Sequence, residues 1–167
     1  MAIITTAEAI QLLQTNADKL LNPIGFERWD CSETCKIMYL TGCRISDALS
    51  CEMWDYQDGI PTGYTAKKNG NYCTIGNTEN DQALKIACIS LSQRQYKPSY
   101  EDVVRYIKRQ QPYKIGKGKI NNLACHQFRH LFVQKLHANG VAATLIAAKI
   151  GDTLQRTIGY IESQYTV

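Results

Sequence analysis

"HQFRHLFVQKLHAN", residues 126–139, is the stretch on which the reading of the fold turns. Phe128, Leu131, Phe132 and Leu136 recur three and four residues apart, which predicts a helix with one apolar face, stopped by Gly140. The same helix carries His126, Arg129 and His130 at i, i+3 and i+4, so these three share a side. Two histidines four apart can grip a metal. An arginine beside a histidine can instead grip a phosphate, because the guanidinium fork matches two phosphate oxygens.

The segments around it give a mainly helical chain. Downstream, "AATLIAAKI" (142–150) reads as a helix ended by Gly151, and "LQRTIGYIESQY" (154–165) as a final helix carrying Tyr160. Upstream, "SYEDVVRYIKRQ" (99–110) reads as a helix opened by Ser99 with Asp102 three on, and closed by Pro112. "ALKIACISL" (83–91) alternates as a strand does, with a short helix as the alternative. "GYTAKKNGNYCTIG" (63–76) holds the Asn-Gly signal of a tight hairpin between two short strands. "RISDALSCEMW" (44–54) reads as a helix with Ile45, Ala48, Leu49 and Met53 turned inward, and "CSETCKIMYL" (31–40) as one that stops at Gly42. The opening "TTAEAIQLLQTNADKLL" (5–21) has a capping box in Thr5 and Glu8 and an apolar stripe of Ile10, Leu13, Ala17, Leu20 and Leu21. The expected class is α+β: a single, mainly helical domain with a small antiparallel sheet inserted in the middle.

Composition agrees with that size and class. The 167 residues suffice for one domain with a real core and are few for two. With 44% apolar and 20% charged residues the chain is globular, not disordered. No apolar run approaches the length of about 18 residues that spans a bilayer, and "MAIITTAEAI" lacks the basic-then-apolar order of a secretory signal. A net charge of +4 permits a nucleic-acid partner without demanding one. Its distribution says more. "YIKRQQPYKIGKGKINN" (106–122), with Lys114, Lys117 and Lys119, is basic, contains glycine and carries no acid, a composition suited to a sugar-phosphate backbone. Seven cysteines without a signal sequence predict reduced thiols in a cytosolic setting, with Cys35, Cys51 and Cys88 acting as small hydrophobes. A zinc site drawn from Cys125, His126 and His130 with Cys31 or Cys35 is a structural alternative.

Three signals then stand together. "LTGCRISDALSCEMW" (40–54) puts Arg44 after a glycine stop at the start of a new helix, where Asp47 three residues on could orient its guanidinium. "HQFRH" supplies the second arginine with a histidine one turn before it, and "RTIGYIES" supplies Tyr160 on the last helix. Each alone has an ordinary explanation: a helix-start salt bridge for Arg44, a satisfied histidine for His126, an amphipathic core residue for Tyr160.

In their order these pieces resemble the catalytic domain of the tyrosine recombinase family, the phage integrases and their site-specific recombinase relatives. The matching segments are "TGCRISDALS" (41–50), "HQFRHLFVQKLHANGV" (126–141) and "LIAAKIGD" (145–152) followed by "TIGYIE" (157–162), with the Lys-bearing "TAKKNGNYCTIG" (65–76) between the first two. The resemblance covers roughly residues 4–163 and lacks the family's additional N-terminal DNA-clamping domain. It implies a strand transferase in which a tyrosine hydroxyl attacks a DNA phosphodiester, giving a 3′-phosphotyrosyl bond and a free 5′-hydroxyl without a metal or nucleotide cofactor. By position, Arg44 and Arg129 would stabilise the transition state, His126 would act as base or phosphate donor, and Tyr160 would be the nucleophile, with Tyr165 as second candidate. Lys67 would be the acid for the leaving oxygen, with Lys68 its neighbouring alternative. Lys68, Lys114, Lys117, Lys119 and Arg156 would meet the backbone of double-stranded DNA. The resemblance further implies self-association on DNA, as a tetramer, and a cytoplasmic, nuclear or virus-associated site of action. One position departs from the family: Asp152 stands where a histidine or tryptophan usually donates to the phosphate. A carboxylate accepts hydrogen bonds only and would repel that phosphate. This motivates a second expectation, a recombinase-like domain that binds DNA without cutting it.

Overall fold

The computed structural model describes residues 3–4, 11, 14, 17–23, 30–110, 123–162 and 165–166. Strand β1 (Ile3–Ile4) precedes α1, which is helical over 17–21, then α2 (Ser32–Thr41), the short α3 (Ile45–Ala48) and a 3-10 turn (Cys51–Met53). Three strands follow, β2 (Asp55–Gln57), β3 (Ile60–Thr65) and β4 (Tyr72–Thr74). Helices α4 (Asp81–Gln93), α5 (Tyr100–Gln110), α6 (Leu123–Ala138), α7 (Ala143–Ile150) and α8 (Leu154–Glu162) lead to β5 (Tyr165–Thr166). The class is α+β and mainly helical, as expected.

The helix ends follow local chemistry. Gly42 and Gly151 terminate α2 and α7 in the left-handed conformation, at φ +71° and +66°. The Gly42 N–H reaches the Met38 carbonyl at 2.8 Å. Ser99 and Asp102 open α5 reciprocally: the Ser99 N–H donates to Asp102 at 2.9 Å, and the Asp102 N–H donates to Ser99 Oγ at 3.2 Å. Gly70 lies in the turn that joins β3 to β4, where Tyr64 pairs with Cys73.

Four expectations are corrected. Residues 83–91 belong to helix α4, not a strand, because the buried Leu84, Ala87, Cys88 and Leu91 recur at helical spacing. The segment 44–54 is helical only over Ile45–Ala48; it passes through the 3-10 turn, and Met53 faces solvent, 79% exposed. The hairpin gains a third strand, since β2 pairs antiparallel with β3. The last helix stops at Glu162, and Tyr165 pairs instead with Ile4 across the two-stranded β1–β5 sheet. The Thr5–Glu8 capping box, Ile10, Leu13, Pro112 and the basic lysines Lys114, Lys117 and Lys119 lie outside the described residues.

Two apolar clusters hold these elements. The larger joins Ile37 and Met38 of α2, Leu84 and Leu91 of α4, Val103 and Ile107 of α5, and Phe128 and Leu131 of α6. Trp54 stacks on Tyr64 within it at 4.6 Å, tying the sheet to the helices. The smaller gathers Val133, Ile146 and Ile150, with Phe132, Leu136, Tyr160 and Ile161 packed against it. Helix α6 contributes to both, so the residues it carries on its remaining face lie where α2, α7 and α8 meet. Among the described residues, no helix is long and apolar enough to cross a membrane.

Candidate functional site

The end of α2, the start of α3, the middle of α6 and the α7–α8 corner converge on two arginines. Arg44 occupies the N-cap of α3 with extended backbone, and its side chain makes no capping hydrogen bond to the new helix. Arg129 lies on α6 and is 1% exposed; Arg44 is 9% exposed. Burial of a guanidinium demands partners. Arg129 finds them in the backbone that the two glycine stops present: Nε donates to the Gly42 carbonyl at 3.0 Å, and Nη2 to the Ile150 carbonyl at 2.6 Å. One arginine thereby joins the ends of α2 and α7.

Asp152 supplies the counter-charge. Its Oδ2 lies 3.2 Å from Arg44 Nη2 and 3.5 Å from Arg129 Nη1, and its side chain is 1% exposed. Oδ1 accepts from the Thr153 N–H at 2.8 Å and lies 3.7 Å from the exposed Arg156. The carboxylate therefore points into the arginine pair. Asp47 does not orient Arg44, as its position in sequence suggested. Its Oδ1 accepts from the Lys67 N–H at 2.9 Å, which fixes the hairpin backbone instead. The hairpin turn is anchored a second time, where Asn69 and Asn71 Nδ2 both donate to the Gly151 carbonyl, at 2.8 and 3.2 Å. Lys67 and Lys68 are thus exposed side chains on a turn docked against the arginine site. Of the two, it is the Lys68 charge that reaches His126.

His126 and His130 follow one another along α6. Burial, then the charges of Arg129, Arg44 and Lys68, lowers the His126 pKa. Among the described residues, its buried Nδ1 meets no hydrogen-bond partner. Burial, then His126 and Arg129, pushes His130 down to about 4. Tyr160 meets His130 edge to face, with ring centroids 4.8 Å apart, and its carbonyl accepts from Gln134 at 3.3 Å. The structure thus brings Arg44, Arg129, Asp152 and Arg156 together, and links Tyr160 to them through the residue that follows Arg129. The side chain of Tyr165 lies outside the described residues.

The depressed His130 pKa has a consequence for stability. Between pH 6.5 and about 4 the folded chain binds fewer protons than the unfolded one, so stability is complete above pH 6.5 and declines as pH falls toward 4. The loss attributable to His130 has an upper bound of about 3 kcal/mol. Urea midpoints at pH 7.5 and 4.5 test this: the acid-induced drop should be smaller in His130→Gln than in the unaltered chain.

The zinc alternative finds little support in the thiols. Cys31 and Cys35 sit in the main core cluster; burial pushes Cys31 up to about 11 and Cys35 well above its ordinary value. A zinc ligand must be a thiolate. The Cys125 side chain lies outside the described residues, and among the described ones no three His, Cys, Asp or Glu side chains group as a metal site.

Two features of this site escaped the sequence reading. The inward carboxylate of Asp152 had one signal, an acid next to a glycine stop with Arg156 one helical turn on. The contact of His130 with Tyr160 had the i, i+4 spacing from His126. Comparison with protein-family models, curated proteins and solved structures finds no match to this chain.

Proposed function

We propose that the chain is a DNA strand transferase of the tyrosine-recombinase type, with the corresponding catalytic-domain fold, in which Arg44 and Arg129 take the phosphate and Tyr160 attacks it. The observation that carries this reading is the convergence of two buried guanidiniums on one carboxylate oxygen, at 3.2 and 3.5 Å. A point that draws one anionic oxygen between two fixed forks suits phosphoryl transfer, where negative charge grows on the non-bridging oxygens as the nucleophile arrives. The phenol oxygen of Tyr160 forms a bond to phosphorus while the bond from phosphorus to the 5′-oxygen breaks. His126 accepts the phenol proton, and Lys67, or Lys68 beside it, delivers a proton to the departing oxygen. The lowered pKa of His126 keeps it neutral near pH 7, the form a base requires. The phosphotyrosyl bond conserves the energy of the broken one, so the reverse reaction rejoins the strand. Double-stranded DNA is the partner in this reading, and strand exchange requires several copies assembled on two duplexes.

A nicked duplex from which the cleaved segment diffuses away tests it. The unaltered chain should form a covalent protein–DNA adduct visible in a denaturing gel, and Tyr160→Phe should abolish it while Tyr165→Phe leaves it in place. An adduct that survives Tyr160→Phe and disappears in Tyr165→Phe moves the nucleophile to the terminal strand.

The position of Asp152 favours a second reading, a domain that holds DNA without cutting. A carboxylate between the guanidiniums neutralises the groups that the chemistry would use. Under that reading duplex binding weakens steeply with salt, and no adduct forms with either tyrosine at any protein concentration.

A further inference from the structure

We propose that Asp152 is an internal occupant of the phosphate site, an acid that holds Arg44 and Arg129 in binding geometry while the site is empty and is displaced when a phosphate oxyanion enters. The inference rests on the phosphate-site reading above and concerns the regulation of that site. Asp152 fits the role of a substitute better than that of a permanent partner. Its contacts to the pair, 3.2 and 3.5 Å, exceed the 2.7–2.9 Å of well-formed charge-assisted hydrogen bonds. Among the described residues, Arg44 Nη1 and Arg129 Nη1 are buried and lack a hydrogen bond even with the carboxylate in place. The carboxylate thus engages the pair at long range and leaves buried guanidinium nitrogens on both arginines without a hydrogen bond. A phosphate offers more oxygens than a carboxylate and can meet donors that Asp152 leaves unmet.

The local backbone also provides for displacement. Asp152 follows Gly151, the left-handed end of α7, and precedes Thr153, whose Oγ1 accepts from the Arg156 N–H at the start of α8. Its Oδ1 already lies toward Arg156, which is 59% exposed, and accepts from the Thr153 N–H. Turning the carboxylate outward therefore exchanges two buried guanidiniums for one at the surface and never leaves the acid without a partner. The entering phosphate supplies the charge that the inner pair loses. DNA binding at this site then competes with an intramolecular anion, so the resting chain holds DNA less tightly than its arginine pair would allow.

Asp152→Asn and Asp152→Ala test this with inorganic phosphate as the probe. In chloride buffer, removing the acid leaves buried guanidiniums uncompensated, and the melting temperature should fall on the order of 10 °C. Phosphate at matched ionic strength should restore at least half of that loss, while the unaltered chain, whose cradle is filled, gains only the general stabilisation that phosphate gives any protein. A short duplex should bind Asp152→Asn at least ten-fold more tightly than it binds the unaltered chain. Equal responses of variant and parent to phosphate would overturn the proposal. So would variants that remain unfolded in phosphate and chloride alike, since a vacated anion site would be refilled. The readouts separate the two claims. Phosphate rescue without any covalent adduct removes the transferase reading and keeps the occupant; an adduct without phosphate rescue does the reverse.

Discussion

Arg129→Lys, which preserves the charge, is expected to lower the melting temperature by roughly 10 °C. Arg129 uses three separate directions: toward the Gly42 carbonyl at 3.0 Å, the Ile150 carbonyl at 2.6 Å and Asp152 Oδ2 at 3.5 Å. An ammonium at the end of a flexible chain is a point donor and cannot span a planar fork. Each buried acceptor left without a donor costs about 1–3 kcal/mol, and the two carbonyls alone make a loss of a few kcal/mol. Arg129→Ala should be worse, because it also takes from the buried Asp152 one of its two buried guanidinium partners and leaves Arg44 and the exposed Arg156, where breaking a buried ion pair costs about 3–5 kcal/mol. Thermal melts of both variants, read against Arg105→Ala on the exposed face of α5, make the comparison. Arg129 is thus both the reagent that the proposed chemistry needs and the bolt between α2 and α7. A Lys variant that kept its stability while losing adduct formation would detach the second role from the first.

The helix ends and the hairpin were legible because they depend on neighbours in sequence. Gly42 and Gly151 mark left-handed caps, Ser99 and Asp102 mark a capping pair, and Asn69-Gly70 marks a turn. Helix α4 was misread for a physical reason. Ile86 and Ile89, β-branched and apolar, lie on its solvent side, 65% and 42% exposed, and disguise as alternation a pattern whose buried members recur at helical spacing. The pairing of Ile4 with Tyr165 joins the two ends of the chain, and no periodicity within either segment announces it.

For the candidate site, the sequence named residues that the fold brings near one another but not how they are wired. Residue types and order pointed to Arg44, His126, Arg129 and Tyr160, and Asp152 stood out as chemically discordant beside a phosphate. The sequence could not say where the discordant acid points, because that depends on the α7–α8 corner meeting α3 and α6, a non-local contact. Asp47 was assigned to the arginine three residues before it, the nearest cation on the chain. In the fold it holds the Lys67 backbone N–H from the hairpin, and Arg44 turns to Asp152. Local spacing proposes local partners; tertiary packing replaced them.

Gly151→Ala should be comparably damaging, for reasons that couple fold to site. At φ +66° any side chain is strained, by about 1–2 kcal/mol. The added Cβ would also overlap Cys73 Sγ on β4, and overpacking a tight contact adds about 1–3 kcal/mol. Together these predict a melting temperature lower by roughly 10 °C. Gly140 supplies the control, because it too has positive φ, +83°, but its Cβ would meet nothing within 4 Å. Gly140→Ala should therefore show the backbone cost alone, roughly 3–5 °C. The difference between the two isolates the clash with Cys73, and Gly151→Ala introduced into a Cys73→Ala background should recover most of it. Relief of that clash without recovery of the proposed DNA binding would show that the corner itself had shifted. The Gly151 carbonyl receives Asn69 and Asn71, and the next residue is the acid between the arginines. A displacement there moves the hairpin lysines and Asp152 together, so the stability of this corner and the geometry of the proposed anion site should fail as one.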